Sequence, residues 1–142
     1  LEQDSAHMTQ APPGAVELLT SLTPGMWTVC TSANPRLGAA RLRAAGLPVP
    51  AELVSSEDVE RGKPHPDPYL RGAQNLGLEP GECIVFEDAA AGIQAGLSAG
   101  ASRVIGVTKV ALDTDVEIVV KSLAGLSYRD GTLHIPASSR LR

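Results

Sequence analysis

The sequence predicts an α/β fold, a three-layer, Rossmann-like arrangement with helices packed on a parallel sheet. Three observations predict it. Short apolar runs alternate with stretches of helix length and helix pattern along the chain. Links of that length suit right-handed crossovers between parallel strands rather than tight hairpins. Polar residues of related chemistry follow several of the apolar runs, where open parallel sheets bind their ligands.

The elements follow in order. Residues 1–11 are polar and unpatterned and read as the remnant of a cap or linker, leaving residues 12–142 as the core domain. Pro12-Pro13-Gly14 opens a helix over Ala15–Leu22, whose apolar side is Val16, Leu18, Leu19 and Leu22. Met26–Thr31 is a nearly continuous apolar run, as expected of a strand covered on both faces. Pro35–Ala45 is the next helix and Gly46 closes it. Leu53-Val54-Ser55 is a weak strand, Asp58–Pro68 a charged, proline-rich loop, and Pro68–Leu76 a helix. Cys83–Phe86 is the clearest strand, followed by a small-residue helix over Ala89–Ala99. Arg103–Val107 and Ile118–Val120 are further strands, and Leu133–Ile135 an edge strand or a tail.

Composition narrows the functions. A chain of 142 residues with 43% hydrophobic content and a mean hydropathy of +0.02 suits one globular domain. At 3% aromatic content, Val, Leu, Ile and Ala must build the core. A net charge of −4 without a Lys/Arg stripe argues against nucleic acid as a partner. No apolar run reaches the roughly 18 residues that span a membrane. Cys30 and Cys83, each inside an apolar run, read as buried free thiols and point to a reducing, cytoplasmic setting.

The polar residues after the strands carry the chemistry. Thr31, Ser32 and Asn34 follow one strand, Lys63 lies in the loop after the weak strand, and Glu87 and Asp88 follow another. Hydroxyls and an ammonium group suit a phosphate, and paired carboxylates suit a hard divalent ion. Each residue also has a plainer explanation. Ser32 and Asn34 are good caps for the helix at Pro35, and Glu87-Asp88 equally suits a helix N-terminus. Lys63 alone is a solvated charge, and His65 between two prolines is loop structure. His7 and His134 have no partner at metal-ligand spacing. Gly92, Gly96 and Gly100, four apart, are best explained by close packing of their helix on the sheet.

Three segments taken together resemble the haloacid dehalogenase superfamily, in its glycerol-3-phosphatase, 2-deoxyglucose-6-phosphatase and β-phosphoglucomutase-like branch. They are Trp27–Asn34 (WTVCTSAN), Gly62–Tyr69 (GKPHPDPY) and Val85–Ile93 (VFEDAAAGI), and the similarity runs from about Pro13 to Val120. The resemblance implies that the Ser32 hydroxyl, with the backbone N–H groups of Ala33 and Asn34, binds the transferring phosphoryl group. It implies that Lys63 neutralises the phosphate and the nucleophile, and that Glu87 and Asp88 hold Mg²⁺. Ser32 and Lys63 are then the catalytic residues present, and the substrate is a small phosphorylated metabolite, for a phosphatase or for a phosphosugar mutase of the same fold.

One expected element is missing. The family attacks phosphorus with the first aspartate of an Asp-x-Asp-x-Thr sequence that follows its central strand, and the 142 residues contain no such sequence. Asp113-Thr114-Asp115 is the one look-alike, lacks the Gly-Thr continuation, and sits where relatives carry a variable acidic loop. The fold is therefore expected to be an incomplete core, without its first central strand and without the helical cap. The chain is expected to be part of a longer enzyme and inactive alone, its partner an N-terminal segment of the same protein. A non-catalytic remnant that binds a partner is the other possibility.

Overall fold

A computed structural model describes residues 12–142. The expected cap or linker remnant at 1–11 lies outside the described residues. The described residues form four α-helices, α1 (Ala15–Ser21), α2 (Pro35–Ala44), α3 (Asp67–Asn75) and α4 (Ala90–Ala99). Five strands accompany them, β1 (Ile84–Glu87), β2 (Arg103–Val107), β3 (Ile118–Val120), β4 (Ser127–Arg129) and β5 (Thr132–His134).

Strands β1, β2 and β3 pair in that order, all parallel, with Ile84 opposite Arg103 and Ile105 opposite Ile118. Side chains alternate across this sheet and divide the core in two. Ile105, Val107 and Val120 point to the side covered by Ala15 and Leu18 of α1 and by Leu126. Val85, Val104 and Val119 point to the other, against Ile93 of α4 and Val116. Ile105, Val119 and Val120 are fully buried, each contributing about 1.5–3 kcal/mol.

The glycine spacing in α4 has a packing cause. A Cβ at Gly96 would stand 3.0 Å from Val104 Cγ2 and 3.1 Å from Val85 Cγ1, so the helix lies against the sheet at backbone distance. Gly100 does a different job: it caps α4 in the left-handed region at φ 80°. On β2, a Cβ at Gly106 would overlap the Ala111 methyl and reach Val116 Cγ1 at 3.1 Å. The Gly106→Ala variant is expected to lose about 1–3 kcal/mol, read as a lower urea midpoint at unchanged slope.

Two apolar runs depart from expectation. Met26–Thr31 and Leu53–Ser55 were expected as strands, yet only Cys30 and Val54 form a bridge. Thr31 N–H donates to Val54 O at 2.8 Å and Val54 N–H to Val29 O at 2.9 Å. Among the described residues, no backbone hydrogen bond joins this pair to β1. Among the described residues each edge facing the gap has no partner, so nothing there reinforces the pairing beyond this one bridge. Trp27, Val29, Cys30, Ile84 and Phe86 accordingly stay only half-buried.

The C-terminal end is more ordered than its pattern implies. Asp130 (φ 54°) and Gly131 (φ 75°) turn β4 into β5, as a two-residue hairpin requires. Residues 139–142 then run antiparallel to β3, with Val120 opposite Arg140. The Arg142 guanidinium donates to the carbonyls of Leu112, Thr114 and Val116, which ties the loop after β2 to this edge.

Candidate active site

Ser32 follows the Cys30–Val54 bridge and is exposed. It lines a cavity of about 100 Å³ together with Thr31, Ser56, Val59, Glu60 and Gly62. The backbone around it is committed locally. Ala33 N–H donates to Thr31 Oγ1 at 3.1 Å, and Ala33 O accepts from Ser56 N–H at 2.9 Å. Asn34 caps α2, its Oδ1 accepting from Leu37 N–H at 2.8 Å with Pro35 in the first turn. So the Asn34 side chain does the capping that its type predicts, and the Ala33 N–H already has an acceptor.

Lys63 crosses the gap between the two halves of the sheet. Its Nζ donates to Cys30 O at 2.9 Å and to Glu87 Oε1 at 2.5 Å. The two side chains are 14% and 9% exposed, so this pair is far better shielded than an ordinary surface ion pair. Tyr69, near the start of α3, donates its hydroxyl to the same Glu87 Oε1 and lies under the Lys63 ammonium, 5.2 Å from its ring centroid. Burial, then the Glu87 charge, raises the Tyr69 pKa, so the hydroxyl remains a donor at any working pH.

Glu87 ends β1 and Asp88 follows it, exposed. A Cβ at Gly92, in the first turn of α4, would overlap the Glu87 carboxylate, so only glycine leaves room for it. The described residues bring Lys63 and Glu87 into direct contact and set Ser32 beside the Gly62 end of the same loop. His65 is exposed in that loop, its backbone N–H bonded to Gly62 O at 3.0 Å. Asp113 closes a short 3-10 turn after β2, and both it and Asp115 are exposed. Among the described residues, neither shares a hydrogen bond with Lys63 or Glu87.

No group of three or more His, Cys, Asp or Glu among the described residues could enclose a metal ion. The available donors are Asp88 and Glu87 Oε2, since Oε1 already accepts from Lys63 and Tyr69. Two carboxylate oxygens fit a hard, hydrated divalent cation that completes its octahedron with water and substrate phosphate. They do not fit a metal held by the protein alone.

Residues 3–100 match the family model of haloacid dehalogenase-like hydrolases. The chain belongs to that family. This haloacid dehalogenase-like chain is 48% identical over 129 residues to hexitol phosphatase A of Escherichia coli K12, covering 87% of its own length and 59% of that protein's. It is 39% identical over 105 residues to glycerol-1-phosphate phosphohydrolase 2 of Saccharomyces cerevisiae, covering 67% and 42%. The chain thus spans about half the length of these curated relatives. Among solved structures it resembles a haloacid dehalogenase-like protein of Agrobacterium tumefaciens C58, at 26% identity and TM-score 0.72, covering 84% of this chain and 60% of that one. It also resembles β-phosphoglucomutase of Clostridium difficile, at 25% identity and TM-score 0.68, covering 85% and 56%.

Sequence reading missed the roles of Tyr69, Gly92 and Cys30. Tyr69 closes the GKPHPDPY motif, but its hydroxyl meets Glu87 only after two distant segments fold together. Cys30 donates its thiol to Pro68 O at 3.2 Å, and a Cβ at Gly72 would press on its sulfur. Burial pushes the Cys30 thiol up from 9.0 to about 12, against the opposing pull of Lys63. Because the folded value lies above the unfolded one, the stability held by the neutral thiol is complete below pH 9. It is lost between pH 9 and about 12. Urea midpoints are therefore expected to fall from pH 8 to pH 10.5, and less steeply in Cys30→Ala; equal slopes would contradict this.

Proposed function

We propose that the protein carrying this chain hydrolyses a small phosphorylated metabolite, a sugar or polyol phosphate, in a Mg²⁺-dependent reaction through an aspartyl-phosphate. The observation that carries it is Lys63, bonded at once to Cys30 O and Glu87 and so joining three separate chain segments at the strand ends. The names of the two curated relatives, a hexitol phosphatase and a glycerol-1-phosphate phosphohydrolase, support the substrate class.

In this proposal Ser32 donates its hydroxyl to a phosphoryl oxygen, helped by backbone N–H groups at residues 33 and 34. For Ala33 this requires the Thr31 hydroxyl to give way. Lys63 offsets the charge that gathers on the phosphoryl group, and Glu87 and Asp88 hold the cation. Mg²⁺, when bound, neutralises phosphate oxygens. The attacking carboxylate belongs to a segment outside these 142 residues, N-terminal to them in the same protein. Two free cysteines, Cys30 and Cys83, support a cytoplasmic setting. No helix among the described residues is long and apolar enough to cross a membrane.

Assayed against hexitol, hexose and glycerol phosphates, the full-length gene product is expected to release inorganic phosphate with Mg²⁺ and to stop in EDTA. Release unaffected by EDTA, or none from any of these esters, would sink the proposal. The likeness to β-phosphoglucomutase favours a phosphosugar mutase as second reading. Phosphorus NMR separates the two, since a mutase moves the phosphoryl group between sugar positions and frees none.

A further inference from the structure

We infer that Tyr69 is a positioning residue for the Glu87 carboxylate, holding Oε1 so that Oε2 and Asp88 are presented together to a divalent cation. The inference deepens the proposed function and rests on its metal assignment.

Glu87 is held from three directions. Lys63 Nζ, itself anchored on Cys30 O at 2.9 Å, donates to Oε1 at 2.5 Å. The Tyr69 hydroxyl donates to that same oxygen, with its ring under the Lys63 ammonium. The first turn of α4 closes under the carboxylate at Gly92, where no side chain would fit. Among the described residues no donor reaches Oε2. Two donors on one oxygen and none on the other divide the carboxylate into a protein-facing and a ligand-facing half.

Lysine alone cannot impose that division. Even anchored on Cys30 O, an ammonium is a point charge with no planar geometry of its own and accepts a range of carboxylate orientations. Tyr69 is rigid: its ring packs against the core formed by Val85 and Ile93, so its hydroxyl marks one point in space. Groups that hydrogen-bond a metal-binding side chain typically govern affinity by ten- to a hundredfold.

The experiment measures Mn²⁺ binding by electron paramagnetic resonance, without substrate, in the full-length gene product. Tyr69→Phe removes one oxygen and keeps the ring. It is expected to weaken Mn²⁺ binding about tenfold, with a melting temperature close to the unsubstituted protein, and to reduce kcat more than it raises KM. Tyr128→Phe, on β4, should change none of these. Glu87→Gln and Asp88→Asn supply the reference for losing a donor outright. Unchanged Mn²⁺ affinity in Tyr69→Phe, beside a loss of tenfold or more in Glu87→Gln, overturns the positioning role and leaves the metal assignment standing. Unchanged affinity in both acidic variants overturns the metal assignment and the positioning role with it.

Discussion

The 142-residue chain by itself, given Mg²⁺ and an aryl phosphate, is expected to release phosphate no faster than the buffer. Ser32 and Lys63 can stabilise charge on a phosphoryl group, and such stabilisation is often the largest catalytic term. Phosphoryl transfer still needs a nucleophile in line with the leaving group. Lys63 bonds to Cys30 O on one side of the sheet gap and Glu87 on the other, so a nucleophile would have to come from between them. Among the described residues the gap holds no strand. Asp113 and Asp115 sit after β2, one strand beyond β1 on the side away from the gap. The full-length gene product assayed in parallel is expected to turn over. Robust turnover by the short chain, abolished by Asp113→Asn, would instead establish an active site around that loop.

Replacing Lys63 with alanine is expected to cost both activity and stability, through one buried charge. In the full-length gene product the fall in kcat is expected to be about a hundred- to a thousandfold, as for other preorganised donors that meet developing charge. In the 142-residue chain the substitution strands a carboxylate that is 9% exposed. Breaking one partner out of a shielded pair costs about 3–5 kcal/mol, and the Tyr69 hydroxyl and the gap beside Glu87 place this case at the lower end. A second substitution separates the two effects. Glu87→Gln added to Lys63→Ala removes the orphaned charge and should recover most of the stability, while activity stays lost. Stability of the single variant within about 0.5 kcal/mol of the parent would mean that the pair is solvated in solution, contrary to its burial.

Much of the fold was legible because it rests on local pattern. The Arg103–Val107 and Ile118–Val120 strands have the bounds their apolar runs mark, and the four helices of the described residues lie within a residue of theirs. The hairpin at Asp130-Gly131 carries a turn signal that sequence reading passed over, because strands of three residues on either side are too short to show alternation. Met26–Thr31 failed for the opposite reason. Its apolar run is genuine, but a run becomes a strand only where neighbours pair with it, and that is a property of the whole sheet.

The sequence by itself determined the family and the α/β class, and it singled out the residues proposed for phosphate- and metal-type chemistry. Those properties are written in residue identity and short spacings, in GKPHPDPY and VFEDAAAGI above all. Only the tertiary structure decided how that chemistry is shared out. Lys63 is 24 residues from Glu87 and Tyr69 is 18, and no periodicity links them; they meet because the end of β1, the 58–68 loop and the start of α3 come together at one edge of the sheet. Folding also bonded Ala33 N–H to Thr31 and required glycine at 92. The contacts of Lys63 and Tyr69 with Glu87 join atoms remote in the chain, and the other two turn on local three-dimensional geometry, neither of which a linear pattern encodes.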